Sequence, residues 1–100
     1  MMWYVIHSQD NPNSLEKRLK ARPDHIERLK TLLNQGRLMV AGPLPAIDNE
    51  EPGPNGYEGS LVIAEFDSLE DAKEWAQNDP YVIHGVYCSF SVQPFKKVFP

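Results

Sequence analysis

Residues 60–92 read SLVIAEFDSLEDAKEWAQNDPYVIHGVYCSFSV, and this stretch decides the fold. Its first part, Ser60–Phe66, is rich in β-branched and aromatic types and predicts a strand. Ser68 is typical of a helix N-cap, and Asp79-Pro80 predicts the end of that helix. Alternating residues from about Val82 to Val92 predict another strand. The apolar residues that share one face of the predicted helix are Leu69, Ala72, Trp75 and Ala76.

The first half of the chain predicts a second unit of the same kind. Trp3–Ser8 has the composition of a strand. Asn13 precedes a glutamate at the spacing typical of a helix start, and Pro23 predicts the first residue of a second, linked helical piece. That piece is expected to end at Gly36, and Arg37–Gly42 predicts the next strand.

Pro43–Gly59 is the long stretch without periodicity, and it carries four prolines and three glycines. We expect a sharp turn where Gly42 meets Pro43, followed by an irregular loop. Because loops of this length in a small domain are commonly functional, we expect this one to cover a pocket and exclude water.

The resulting order, βαββαβ, predicts an α+β fold of the ferredoxin-like type, a four-stranded antiparallel sheet with two helical regions on one face. The other face is left bare. Strand one has Trp3 and Val5 on one side and Tyr4 and Ile6 on the other, so both of its faces are apolar. We therefore expect residues 1–100 to form a single domain and a homodimer through the bare sheet faces.

Composition excludes several classes of protein. A formal net charge of -4 and interleaved charges of both signs provide no basic stripe for nucleic acid. No run approaches the roughly 20 apolar residues that cross a bilayer, so we expect no membrane partner and a cytoplasmic location. Cys88 is the only cysteine, which excludes an intrachain disulfide. No phosphate-binding loop or dinucleotide fingerprint is present, and we expect no cofactor.

Chain direction brings several polar residues to one edge of the sheet, which we call the rim: strands one and two end there, and strands three and four begin there. Three candidate catalytic residues are expected at the rim: His25, Asp79 and Ser60. His25, in the first turn of the second helical piece, is expected to be neutral and able to act as a base. Asp79 would orient its ring, and Ser60 would supply a hydroxyl.

Each candidate also has a structural interpretation. A histidine at a helix start often bonds a backbone carbonyl, Asp before Pro commonly ends a helix, and a polar first residue of a strand is ordinary. His7 and His84 are also expected at the rim, where they would complete a three-nitrogen metal site with His25. Three scattered histidines are more often unrelated, so we expect no metal.

Segments along the whole chain share the pattern of one family. They are Arg22-Pro23-x-His25-x-x-Arg28-Leu29, Ala41-Gly42-Pro43, Gly59-Ser60, Asp79-Pro80-Tyr81-Val82 and Pro94-Phe95-Lys96-Lys97-Val98-Phe99. The chain thus resembles the YciI-like (YCII-related) family. The resemblance implies a dimeric α+β barrel of two ferredoxin-like protomers and a His-Asp pair in a pocket, which falls on His25 and Asp79. The family is also similar to muconolactone isomerases and to a dechlorinating enzyme of chlorinated aromatic breakdown.

These observations predict a small-molecule enzyme of the lyase or isomerase type that uses His25 and Asp79 for general acid-base catalysis. Its ligand would bind in a pocket at the rim. The alternative is a non-catalytic dimer that binds a metabolite or assists a partner protein, and a purely structural role comes third. No residue distinguishes isomerisation from elimination or hydrolysis.

Overall fold

The computed structural model describes residues 1–100 and contains four strands, three α-helices and one short 3-10 helix. No helix is both long and apolar enough to cross a membrane. In chain order the elements are β1 (Met2–Asp10), α1 (Leu15–Asn34), β2 (Leu38–Pro45), the 3-10 helix (Gly53–Asn55), β3 (Tyr57–Phe66), α2 (Leu69–Gln77), α3 (Pro80–Ile83) and β4 (Tyr87–Phe95).

The four strands form one antiparallel sheet in the order β2-β3-β1-β4. The two central strands are β1 and β3, and Val5 of β1 lies between Ile63 of β3 and Gln93 of β4. This order is the one expected for a split βαβ fold with crossing helical connections. The predicted ferredoxin-like α+β fold is therefore confirmed.

One face of the sheet packs against the helices and forms the hydrophobic core. Because side chains alternate along a strand, every second residue of β1 and β3 points to this face. The main core cluster comprises Tyr4, Ile6, Leu32, Val62, Ala64, Phe66, Ala72 and Ala76. A smaller cluster lies next to α3 and comprises Ala21, Tyr81, Val86 and Tyr87.

The first helical region is one continuous helix, α1, so the predicted break at Pro23 is wrong. Proline inside a helix removes one hydrogen bond and crowds the carbonyl four residues earlier. Pro23 is exposed, as is Leu19, and water can satisfy the released carbonyl on that side. His25 consequently lies in the middle of α1, where the helix-start argument for a neutral ring does not apply. The N-cap is Ser14, one residue after the predicted Asn13.

The expected sharp turn at Gly42-Pro43 is also wrong, because β2 continues to Pro45. Pro43 lies opposite Ser60 in the sheet. An edge strand tolerates prolines, since one side of its backbone has no hydrogen-bonding neighbour. The irregular stretch is thereby shortened to residues 46–56, interrupted by the 3-10 helix. A Cβ at Gly42 would meet no atom within 4 Å, whereas one at Gly59 would overlap the backbone oxygen of Ser8.

The second helical region ends earlier than predicted and is followed by an extra turn. Ser68 caps α2 as expected, and its hydroxyl accepts the Asp71 N–H at 3.1 Å. Residues 80–83 form α3, which includes Val82 and Ile83, predicted as the start of strand four. Proline suits the first position of a helix, and a short apolar run cannot be told from a strand by composition. β4 therefore begins at Tyr87 rather than near Val82.

The second face of the sheet carries no helix, and we call it the open face. Val40 of β2, opposite Ile63, is 47% exposed there. Cross-strand pairs place further apolar residues beside it. The apolar side chains of the open face include Trp3, Val5, Val40, Leu61, Ile63 and Phe95.

Candidate functional site

A cavity of about 250 Å³ lies between α1 and the β2–β3 half of the sheet. Its wall is largely apolar, with polar side chains from α1, β3 and α3. The polar and aromatic residues of its lining are Arg18, Arg22, His25, Tyr57, Ser60 and Tyr81. His25 and Ser60 thus line the same cavity.

His25 is buried in α1 and bonded to Asp79. Its Nδ1 lies 2.9 Å from Oδ1 and 3.0 Å from Oδ2 of the carboxylate, and the two residues are only 7% and 3% exposed. The structure therefore brings together these two candidate residues, which are separated by 54 positions in the sequence.

Asp79 is the N-cap of α3, not the last residue of α2 as predicted. Its Oδ1 accepts the Tyr81 N–H at 2.9 Å, so the residue caps a helix and contacts the histidine at once. Arg28 adds a positive charge, with Nη1 3.5 Å from Oδ2. Burial lowers the pKa of Arg28, and the charge of Asp79 opposes that shift. The carboxylate of Asp79 thus contacts His25, the Tyr81 N–H and the guanidinium of Arg28.

The contacts of Asp79 determine which nitrogen of His25 faces the cavity. Because the carboxylate oxygens accept hydrogen bonds, we infer that Nδ1 carries the hydrogen and that Nε2 of the neutral ring carries a lone pair. Nε2 has no partner within the chain. Among the fully buried side-chain nitrogen and oxygen atoms, only Nη1 of Arg28 lacks a hydrogen-bond partner. Because Nε2 of His25 also lacks a partner but is not one of these buried atoms, it is accessible. The ring also stacks on Tyr81, with centroids 4.0 Å apart and planes 12° from parallel.

Ser60 is buried beside Arg18, a residue that the sequence interpretation did not single out. Arg18 donates to Ser60 Oγ at 2.8 Å and to the Gly59 carbonyl at 2.9 Å. It also binds both carboxylate oxygens of Asp10, from Nε at 2.9 Å and from Nη2 at 3.0 Å. Arg18 therefore joins the end of β1 to the first half of β3.

Three tyrosines surround the guanidinium of Arg18. Its central carbon lies 4.9 Å from the ring centroid of Tyr81, 5.2 Å from that of Tyr57 and 5.9 Å from that of Tyr87. Burial alone would lower the pKa of Arg18, but the hydrogen bond and charge of Asp10 outweigh it, and the pKa is raised. Burial raises the pKa of Tyr81 and, more strongly, that of Tyr87. Both phenols therefore remain protonated at neutral pH.

Arg18 was missed because the predicted helix break separated it from His25. In one continuous helix, Arg18, Arg22 and His25 follow each other at spacings of four and three residues and share a face. That spacing is visible in the sequence. It becomes informative only when the helix is known to continue through Pro23.

The other two histidines lie apart from the cavity. His7 was expected at the rim, but it is exposed in the middle of β1, opposite Leu61 on the open face. His84 ends α3 and lies near Lys17 and Lys20. No three His, Cys, Asp or Glu side chains are grouped as metal ligands would be.

The sequence pattern of the whole chain decides its family, since a model of the YCII-related domain matches residues 2–96. The chain belongs to the YCII-related family. This confirms the resemblance seen in the sequence. The protein YciI of Escherichia coli O6:H1 is 59% identical over 98 residues, covering 98% of this chain and 100% of that relative.

Two further relatives carry names that refer to chemistry. The "derivative of benzaldehyde biosynthesis cluster protein C" of Emericella nidulans is 32% identical over 79 residues, covering 78% of this YCII-related chain and 81% of the relative. Among solved structures, the 5-chloro-2-hydroxyhydroquinone dehydrochlorinase of Burkholderia phenoliruptrix AC1100, in complex with 2,5-dihydroxybenzoquinone, matches with a TM-score of 0.82. It is 25% identical, and the match covers 95% of this chain and 94% of the enzyme.

The contact between His25 and Asp79 predicts that the two residues are energetically coupled. His25→Phe keeps a ring on Tyr81 and removes both nitrogens, while Asp79→Asn keeps a cap for α3. In a double-mutant cycle we expect a coupling free energy of about 1–3 kcal/mol. Either single substitution already removes the hydrogen bond to the carboxylate, so the double variant loses no further bond. Urea unfolding of the four proteins measures this coupling.

His7→Phe is the matched control for this cycle, since it makes the same change on the other face of the sheet. Its effect should add to that of Asp79→Asn within about 0.5 kcal/mol. Equal coupling for His7 and His25 would show that the Nδ1 contact contributes nothing.

The buried tyrosines predict how stability changes at high pH. Burial raises the folded-state pKa of Tyr81 and Tyr87 above the value of 10.0 that applies to the unfolded chain. The contribution of the two tyrosines to the free energy of unfolding is therefore fully present below pH 10. It is lost as the pH rises from there towards the folded-state pKa, because over that range only the unfolded chain ionises. We expect the free energy of unfolding to fall by about 1.4 kcal/mol per pH unit for each tyrosine.

Tyr87→Phe removes one of these ionisations. The variant should lose stability with a slope shallower by about 1.4 kcal/mol per pH unit above pH 10, as measured by denaturant unfolding at a series of pH values. Identical slopes for the variant and the wild type would contradict this assignment.

Proposed function

We propose that the chain is a small-molecule enzyme in which His25 is the general acid-base residue and Asp79 orients it. The observation that carries the proposal is the arrangement of the buried ring. Nδ1 is bonded to both oxygens of a buried carboxylate, and Nε2 is accessible beside a cavity. Acid-base catalysis by histidine requires this geometry: one ring nitrogen is held by an orienting group, and the other is free to exchange a proton with the substrate.

The named relatives support a small-molecule enzyme. The dehydrochlorinase shares the fold over 95% of this chain at 25% identity, and its structure is a complex with 2,5-dihydroxybenzoquinone. The benzaldehyde-cluster relative points in the same direction by its name. Loss of hydrogen chloride and shift of a double bond both begin with removal of a proton, which favours a lyase or an isomerase.

The proposed first step is a proton transfer. An acidic C–H or O–H of the substrate gives its proton to Nε2 of His25, and the electron pair remains on the substrate. Asp79 stabilises the imidazolium that forms, and Arg28 balances the carboxylate when the ring is neutral. The electron pair then either takes a proton at another atom, which is isomerisation, or expels a leaving group, which is elimination. A positioned base of this kind contributes about 10²- to 10⁴-fold in rate.

Ser60 has an accessory role in this proposal. Its oxygen accepts a hydrogen bond from Arg18, and its hydroxyl lies on the cavity wall next to the phenol of Tyr87. A hydroxyl that is held in this way can donate to a substrate oxygen.

The second candidate is a binding protein without catalysis. It is favoured by the apolar part of the cavity wall, which would hold a small ligand whether or not a proton moves. The residues of that wall include Leu15, Leu19, Ile26, Leu29 and Val62.

We also propose that the chain forms a homodimer through the open face, which gives the dimeric barrel that the family resemblance implies. Apolar side chains from all four strands lie on that face, and no helix of the same chain covers them. A second copy presents the same surface and closes a two-fold symmetric contact.

The acid-base proposal predicts that turnover depends on His25. In a panel of small carbon acids and chlorinated hydroxyquinols, incubated in D₂O and followed by NMR, the wild type should exchange a proton or release chloride above the buffer rate. His25→Gln should reduce the rate by about 10²- to 10⁴-fold, and Asp79→Asn should reduce it by less. His84→Gln is the matched control and should leave it unchanged.

Turnover that survives in His25→Gln would contradict the proposal. A panel in which ligands bind at the cavity but none turns over would place the binding protein ahead of the enzyme. Shifts of the Ser60 and Tyr81 amide signals report the binding.

The dimer proposal predicts a solution mass of twice the 11.4 kDa of one chain, measured by light scattering. Val40→Glu adds a charge to the open face and should shift the mass towards the monomer, because the two copies would bury like charges. Ile83→Glu changes another exposed apolar residue, on α3 and away from the open face, and should leave the dimer intact. A folded wild type with the mass of one chain would exclude the barrel.

A further inference from the structure

The lining of the cavity has the opposite charge to the rest of the chain. The sequence holds 14 acidic and 10 basic residues, for a net charge of -4. The cavity wall nevertheless includes Arg18 and Arg22 and no aspartate or glutamate. The nearest carboxylates in the site, Asp10 and Asp79, lie behind Arg18 and His25 and are bonded to them. A cleft lined by one sign of charge attracts ligands of the other sign.

Arg18 presents one unused donor in this cavity. Its Nε and Nη2 bind Asp10, Gly59 and Ser60, whereas Nη1 has no hydrogen-bond partner within 3.5 Å. The guanidinium also lies against the Tyr81 phenol, whose pKa it lowers against the effect of burial. Arg18 is only 6% exposed. Because Nη1 has no hydrogen bond and is still not among the fully buried atoms that lack one, Nη1 belongs to the small accessible part of the guanidinium. The contacts on the other nitrogens hold this donor in place before a ligand arrives.

Arg22 supplies the net charge that Arg18 lacks. Asp10 neutralises Arg18, but Arg22 forms no salt bridge within 4.0 Å in this chain. It lies four residues after Arg18 and three before His25, on the same face of α1 and in the same cavity. A cation without a partner at a cavity mouth gains an interaction when an anion binds.

We propose that the ligand of this cavity is a small anion with an apolar body, held by Arg18 Nη1 and Arg22 at its charged group. The anionic group is a carboxylate or an ionised enol or phenol. The inference rests on the proposed function in that the anion is the substrate of His25. Its apolar body lies against the leucine and isoleucine wall, and its acidic hydrogen lies towards Nε2. The arginines also stabilise the negative charge that grows when the proton leaves.

The test compares two probes of the same shape that differ in charge, benzoate and benzamide. Their affinities are measured from amide shifts of the cavity residues in ¹H–¹⁵N spectra. We expect the wild type to bind benzoate at least tenfold more tightly than benzamide. Arg22→Gln should remove most of that preference, and the matched Lys20→Gln, on another face of α1, should retain it. The preference should also weaken as salt is raised.

Arg18 is tested in the double variant Asp10→Asn/Arg18→Gln, because Arg18→Gln alone leaves a buried unpaired carboxylate. A native-like spectrum confirms folding, and the preference should then fall further than in Arg22→Gln. Equal affinities for the two probes, no shift with benzoate at millimolar concentration, or a preference that survives both variants would overturn the inference.

The outcomes for the ligand and for the reaction are separable. Anion preference without His25-dependent turnover supports this inference and defeats the enzyme proposal. His25-dependent turnover of a neutral compound, with no preference for benzoate, defeats this inference and leaves the enzyme proposal standing.

Discussion

The proposed chemistry depends on the hydrogen bond between the buried carboxylate of Asp79 and the ring of His25. The carboxylate accepts from His25 in α1 and from the Tyr81 N–H in α3, and it faces the charge of Arg28. A buried charge is stable only when such partners surround it, so the position of α3 relative to α1 and the orientation of the imidazole are set together. Tyr81, placed by the same short helix, then supports the flat side of the histidine ring. The geometry of the base is therefore a consequence of satisfying one carboxylate.

Arg18 and Asp10 form the corresponding contact at the other end of the cavity. Their two hydrogen bonds join the start of α1 to the end of β1, and the additional bonds to Gly59 and Ser60 reach β3. A buried salt bridge is weak evidence for stability, since its desolvation offsets most of its attraction. Here the contact holds the guanidinium of Arg18 beside the cavity. The two polar contacts lie on either side of the cavity between α1 and the sheet.

The fold was predictable because strand alternation, caps and glycine ends agree along most of the chain. The errors occurred where local rules compete with packing. Pro23 ends a helix by its own preference, but its exposed position allows α1 to continue, which moves His25 to mid-helix. Residues 80–83 have a strand-like composition, yet the proline and the Asp79 cap make them helical. His25 and Asp79 do contact each other, and His25 and Ser60 line one cavity, but the helix start at Pro23 that was expected to bring His25 to the rim is wrong. Arg18 required the true length of α1, and its long-range bonds to Asp10 and Ser60 have no periodic signal.

The protonated nitrogen of His25 is the most direct test of the account, because the proposed base requires a lone pair on Nε2 facing the cavity. Long-range ¹H–¹⁵N correlation spectra of the imidazole in the wild-type protein, recorded at mildly alkaline pH, report which nitrogen carries the hydrogen. The account predicts the hydrogen on Nδ1, bonded to the ionised carboxylate of Asp79, and an unprotonated Nε2. A neutral ring with its hydrogen on Nε2 would present a donor to the cavity instead of a base and would contradict the account.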